Sequence, residues 1–150
     1  MSKFLPDTSC MVAAMCSWHE RHEDVADEME RRFASGDDMV IAAPALVETY
    51  AVLTRLPAPH RIAPEDAYAL IKANFVDMGE TVALDVPSYH NLLRQAPRDG
   101  VAGGRTYDSI IVACALKAKV PVLLTLNARD FLPMATKAMS VVVPGAASAE

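Results

Sequence analysis

The stretch TYDSIIVACALKAKVPVLL, residues 106–124, decides the fold. Its first part, Thr106–Lys119, reads as a helix that is apolar almost all round, which predicts cover from other elements on most of its sides. Its last part, Pro121–Leu124, is a continuous apolar run of strand length, the pattern of a strand buried in a parallel sheet. A helix followed at once by a buried strand is the repeating step of an α/β domain.

Outward from that stretch the same alternation recurs. Lys3–Asp7 reads as a first strand, and Ser9–Trp18 as a helix capped by the Asp7-Thr8-Ser9 cluster. A charged amphipathic helix, Glu23–Ala34, is stopped by Gly36, and Met39–Ala42 is a second strand. Pro44 opens a helix running to about Leu56, residues 56–60 form a breaker loop, and Pro64 opens a helix that Gly79 closes. Thr81–Asp85 is a third strand, Pro87–Ala96 a further helix, and Ser140–Val143 a last strand. This order predicts one α/β domain with a mostly parallel sheet of about four to five strands.

Composition agrees. The chain has 150 residues, 52% hydrophobic and 22% charged, enough for one buried core. Its net charge of −5 argues against a large basic surface that holds nucleic acid by bulk charge alone. Eight of the 19 acids lie between Glu20 and Asp38, so much of the acidity is one helix's solvated face. Cys10, Cys16 and Cys114 are odd in number and lack metal-type spacing, which predicts buried free thiols in a reducing compartment. No apolar run suits a signal peptide or a membrane span, so a soluble, cytoplasmic protein is expected.

Open α/β sheets place their sites beyond the carboxyl ends of the strands. Asp7 closes the first strand, and Glu48 lies one turn into the helix after the second. Asp108 is in the first turn of the apolar helix, while Asn127 and Asp130 follow the Pro121 strand. Such a set suits Mg²⁺ or Mn²⁺, hard cations that take a few carboxylates plus several waters. Singly, each acid also has a plainer role. Asp7 can cap the first helix, Asp108 can complement a helix N-terminus, and Glu48 can share a solvated face with Arg55, opposite an apolar face of Leu46, Val47, Tyr50 and Leu53.

The start FLPDTS, the segment PALVETYAVLTRL, the helix YDSIIVACAL and the run LLTLNARDF resemble the ordered motifs of PIN domains, and within them the small VapC-type toxins. The match spans Phe4 to about Val143, and WHERHE at residues 18–23 also resembles that subgroup. The resemblance implies a PIN-like three-layer α/β/α fold over residues 1–144, leaving 145–150 as a frayed tail. It further implies a Mg²⁺- or Mn²⁺-dependent ribonuclease with Asp7, Glu48 and Asp108 as catalytic ligands and Asp130 as the fourth. Asn127 is the alternative to Asp130 as a metal ligand. A small antitoxin that holds the enzyme inactive and a homodimer are implied as well.

Around that centre, the hydroxyls of Thr8, Ser9 and Thr125 are placed to orient the ligands, or else to cap local turns. Arg55, Arg105 and Arg129 flank the acids and can hold RNA phosphates. Met11, Met15 and Trp18, at spacings of four and three, make one helix stripe; such a stripe is usually core, but an exposed one would be a groove for the antitoxin. Pro6 removes a strand donor, tolerable at a strand end or edge. His19 and His22 lack a third zinc ligand, and no phosphate loop, dinucleotide fingerprint or nucleophile elbow is present. An aspartyl phosphotransferase fits poorly, since Ser9 stands where that chemistry needs a second acid. The better rival is a catalytically weak PIN-like binding module, because Asn127 lowers the charge of the site.

Overall fold

Five short apolar segments form one all-parallel sheet, in the order β3-β2-β1-β4-β5. These are β1 (Lys3–Pro6), β2 (Asp38–Ala42), β3 (Glu80–Val82), β4 (Val122–Leu124) and β5 (Ser140–Val142). The computed structural model describes residues 2–146. Of the expected frayed tail 145–150, residues 147–150 lie outside the described residues; Pro144, which ends the expected domain, is buried and its carbonyl accepts from Arg21 Nη2 at 2.6 Å.

Among the described residues, seven α-helices flank the sheet: α1 (Thr8–Met15), α2 (His22–Ala34), α3 (Ala43–Thr54), α4 (Pro64–Ile71), α5 (Val86–Gln95), α6 (Arg105–Lys117) and α7 (Ala128–Phe131). The arrangement is an α/β/α sandwich whose core is Phe4 and Leu5 of β1, Ile41 of β2 and Leu123 and Leu124 of β4, all fully buried. Gly36 ends α2 with φ +85°, a conformation open to glycine, and lets its own N–H and that of Asp37 satisfy the last carbonyls of the helix. Among the described residues, no helix is long and apolar enough to cross a membrane. The three cysteines are buried and unpaired.

The order of the strands fixes where chemistry can happen. The chain builds outward from β1 to β3, then returns to lay β4 on the other side of β1. Neighbouring loops after β1 and β4 therefore diverge in opposite directions and leave a crevice, the switch point at which open α/β sheets bind ligands. Pro6 ends a central strand, not an edge. Asp7 N–H donates to Leu124 O at 2.9 Å, so by alternation Pro6 faces the β2 side, where the paired register ends at Phe4 and Met39. The missing donor thus falls where the strands have already separated.

Three expectations are corrected. Helix α1 stops at Met15, with Cys16 extended, so Trp18 is not on it. Met11 is fully buried core and Trp18 is exposed in the following turn, stacked on His60 at 4.0 Å, so Met11, Met15 and Trp18 form no continuous groove. On α3 the buried positions are Ala45, Thr49 and Leu53, while Val47 and Tyr50 face water. Period gives a helix its stripes, but neighbours decide which stripe is covered. Helix α6 is buried or half-buried from Asp108 to Ala115, and its exposed apolar residues, Tyr107 and Leu116, lie near its two ends.

Candidate metal centre

Asp7 is built into the switch point by its neighbours. As the N-cap of α1, its Oδ1 accepts from the Cys10 N–H at 2.9 Å and from Ser9 Oγ at 2.6 Å. Thr125 Oγ1, at the end of β4, donates to Oδ2 at 2.6 Å. The two hydroxyls also stitch the β4 loop in place: Ser9 Oγ accepts from Leu126 N–H at 3.0 Å, and Thr125 Oγ1 from Asn127 N–H at 2.9 Å. An ionised carboxylate offers about four lone-pair sites. These three donors leave one on Oδ2.

Burial pushes the Asp7 carboxyl above its ordinary value, against the pull of the Ser9, Thr125 and Cys10 hydrogen bonds. The three donors fix the orientation of the carboxylate, and the spare lone pair is left for a cation or a proton. The same burial, with Asp7 alongside, raises the Cys10 thiol so that it stays neutral and inert.

Around Asp7, a cleft of about 270 Å³ is lined by Thr8, Ser9, His19, Glu48, Asp108 and Asn127, over an apolar floor that includes Val12 and Ile111. Glu48 is exposed on α3 and is held toward α1 by Thr8 Oγ1, which donates to its Oε2 at 3.0 Å. Asp108, in the first turn of α6, is half-buried, and its pKa is pushed up to about 6. Burial is the first cause; then come the charges of Asp130, Asp7 and Glu48, opposed by Arg105. Three neighbouring carboxylates raising Asp108 is the electrostatic pattern of a site suited to a positive partner.

Asn127 lines the cleft, whereas Asp130 stands one turn further along α7 and acts on Asp108 from outside the lining. Arg55, Arg105 and Arg129 are exposed, and none lines the cleft. Among the described residues none of the three is in an ion pair. His19 was legible only as a weak zinc candidate, yet it lines the cleft with the acids. Its Nδ1 accepts from Arg21 N–H at 3.0 Å, which leaves Nε2 as the donor. His22 is occupied elsewhere, its Nδ1 lying 2.8 Å from Ala13 O. A separate hollow of about 910 Å³ between α5 and α6 has one acid in its lining, Asp99.

The donor set fits a hard divalent cation. Among the described residues, no three His, Cys, Asp or Glu side chains close on a point as a full protein cage would. Mg²⁺ is usually held otherwise, by one or two carboxylates with several waters and substrate phosphates, and a cleft lined by Asp7, Glu48 and Asp108 suits that mode.

A consequence concerns stability without metal. Since the folded Asp108 titrates near 6 against an ordinary 3.8, the fold binds its proton more tightly than the unfolded chain does. Stability therefore falls as pH rises from about 4 to about 6, and the cost persists above. A shift of that size corresponds to about 3 kcal/mol, reduced to about 1 kcal/mol because water screens a half-exposed group. Asp108→Asn should accordingly melt later than wild type in EDTA at pH 7.5, with the gap closing below pH 4. Equal melting at both pH values would show that the acids do not repel one another.

Comparison with known proteins agrees with this frame. A family model described as PIN domain matches residues 4–136. Ribonuclease VapC40 of Mycobacterium tuberculosis is 40% identical over 124 residues, covering 83% of this chain and 86% of its own. Ribonuclease VapC27 of the same species is 31% identical over 123 residues, covering 82% and 83%. The solved structure of VapBC2 from Rickettsia felis bound to a DNA fragment from its promoter aligns with a TM-score of 0.67 over 95% of this chain and 98% of that one. At 16% identity that likeness speaks for the fold alone. A parallel sheet in this order, a family model matched over residues 4–136 and relatives matched over most of their length lead to one assignment: the chain belongs to the PIN-domain family.

Proposed function

We propose that the chain is a Mg²⁺- or Mn²⁺-dependent endoribonuclease, the toxin of a VapBC-type toxin–antitoxin pair, acting in the cytoplasm. The observation that carries this reading is the buried, triply hydrogen-bonded Asp7 facing Glu48 and Asp108 across one cleft. Its curated relatives, named ribonucleases, support the activity and the substrate class. Similar folds solved as VapBC complexes support a small antitoxin as partner; self-association as a homodimer belongs to the same reading.

When bound, the metal supplies a more acidic water and positive charge beside the scissile phosphate. The protein's own part is positional. Asp7 is held rigid by the hydroxyls of Ser9 and Thr125, and Thr8 fixes the carboxylate of Glu48. Asp108 completes the acidic wall and Asp130 adds charge behind it as the fourth carboxylate. Arg55, Arg105 and Arg129, unpaired within the described residues and exposed, are free to hold neighbouring phosphates.

The second reading, a PIN-like module with a weak or inactive site, draws on Asn127, an amide where a carboxylate would bind more strongly. Titration with Mn²⁺ separates the two. The nuclease reading expects wild type to bind Mn²⁺ well above Asp7→Asn, Asp130→Ala to need severalfold more metal, and Asn127→Asp severalfold less. Binding by wild type no better than by Asp7→Asn would favour the module. Should Asp130→Ala titrate like wild type, the fourth ligand is Asn127 or there are three.

A further inference from the structure

Beside the acidic cleft lies a second one of about 510 Å³, whose lining includes Met15, Trp18, His60, Arg61, Ile62 and Asp66. Nothing in the chemistry above uses it. We propose that it is a nucleobase subsite, in which a base of single-stranded RNA next to the cleavage point stacks on the Trp18–His60 pair. The proposal rests on the ribonuclease reading and adds to it the contact that recognises the substrate.

Trp18 is the chain's one tryptophan, and it is 47% exposed although a buried position would remove far more apolar surface from water. It is not loose. Its ring stacks on His60 with centroids 4.0 Å apart and planes within 22°, and the His19 ring centroid lies 5.9 Å away, tilted by 39°. The loop carrying His60 is pinned by His60 N–H to Pro57 O at 2.9 Å and Ile62 N–H to Leu53 O at 3.1 Å. On the Trp18 side, His19 N–H donates to Cys16 O at 2.9 Å. Two aromatic rings are thus held parallel and open to water, the form in which proteins stack unpaired bases.

Charge and position choose RNA over a protein partner. From Thr49 to Pro64 the chain carries Arg55, His60 and Arg61 and no acid, in a protein of net charge −5. Arg61 is tethered by its Nε to Leu56 O at 2.9 Å, which leaves its terminal nitrogens for phosphate. Asp66 is the one acid of the lining; it sits in the first turn of α4, where a carboxylate can accept from a base amino group. His19 lines the acidic cleft and its ring centroid is 5.9 Å from that of Trp18, so a strand with its phosphate at the acids has Trp18 within reach of its next base.

The single tryptophan is also the probe. In EDTA, a short single-stranded RNA should quench Trp18 emission to saturation, while the same backbone without bases should not. Trp18→Ala should weaken RNA binding at least about fivefold, the lower end of what stacking one base contributes, with Trp18→Phe recovering most of the loss. Cleavage at saturating RNA should change less than the apparent KM. Melting of each variant by circular dichroism guards against misfolding, and the base-free oligomer tests the idea in wild type alone. The subsite is overturned if RNA binds without changing the emission and Trp18→Ala binds as wild type. Quenching by a synthetic amphipathic peptide but not by RNA also overturns it and gives the surface to a protein partner. Quenching without any metal-dependent cleavage would leave the subsite standing and remove the nuclease.

Discussion

Asp7→Asn keeps its fold and loses at least about a hundredfold in metal-dependent RNA cleavage. The fold is expected to survive because the amide is isosteric and retains most of the bonding. Its oxygen still accepts from Cys10 N–H and Ser9 Oγ, so α1 keeps its cap. Its nitrogen faces Thr125 Oγ1, which turns from donor to acceptor. What is removed is the charge and the free lone pair of Oδ2, the two properties a hard cation requires. Single-turnover cleavage alongside a thermal melt checks this. Near wild-type cleavage by a folded Asp7→Asn would move the centre away from the switch point.

Acidity gives the second large effect. At limiting Mn²⁺, cleavage should fall about tenfold between pH 7 and pH 5, because Asp108 titrates near 6 and only its ionised form attracts metal. The sign follows from the cause. Burial and the charges of Asp130, Asp7 and Glu48 favour the proton on Asp108, so the acid limb appears well above the ordinary carboxylate range. Raising Mn²⁺ should push the limb to lower pH, since cation and proton compete for one group. In Asp108→Asn the inflection near 6 should vanish along with most of the rate. A limb that stays put as Mn²⁺ rises would assign it to a group outside the centre.

The sequence carried much of this, though unevenly. Strands were legible because Pro121–Leu124 and Met39–Ala42 are apolar on both faces, as central parallel strands must be. The acids were legible because Asp7, Glu48 and Asp108 each follow a strand or open a helix, where a parallel sheet gathers its loops. The hydroxyl network of Ser9 and Thr125 could be named but not drawn, for it joins residues more than a hundred positions apart. Helical period misled at Val47, Tyr50 and Trp18. It gives an angle around an axis but says neither where the helix ends nor which side a neighbour covers. His19 was missed as a lining residue because its place depends on the turn after Cys16, where the apolar pattern gives out.

Incubation of the purified chain with total RNA, with Mn²⁺ or with EDTA, followed by mapping of the cut ends, tests the central claim most directly. Discrete internal cuts are expected with Mn²⁺, disappearing in EDTA and in Asp7→Asn. Undiminished cutting in EDTA, by protein free of contaminating nuclease, would contradict it.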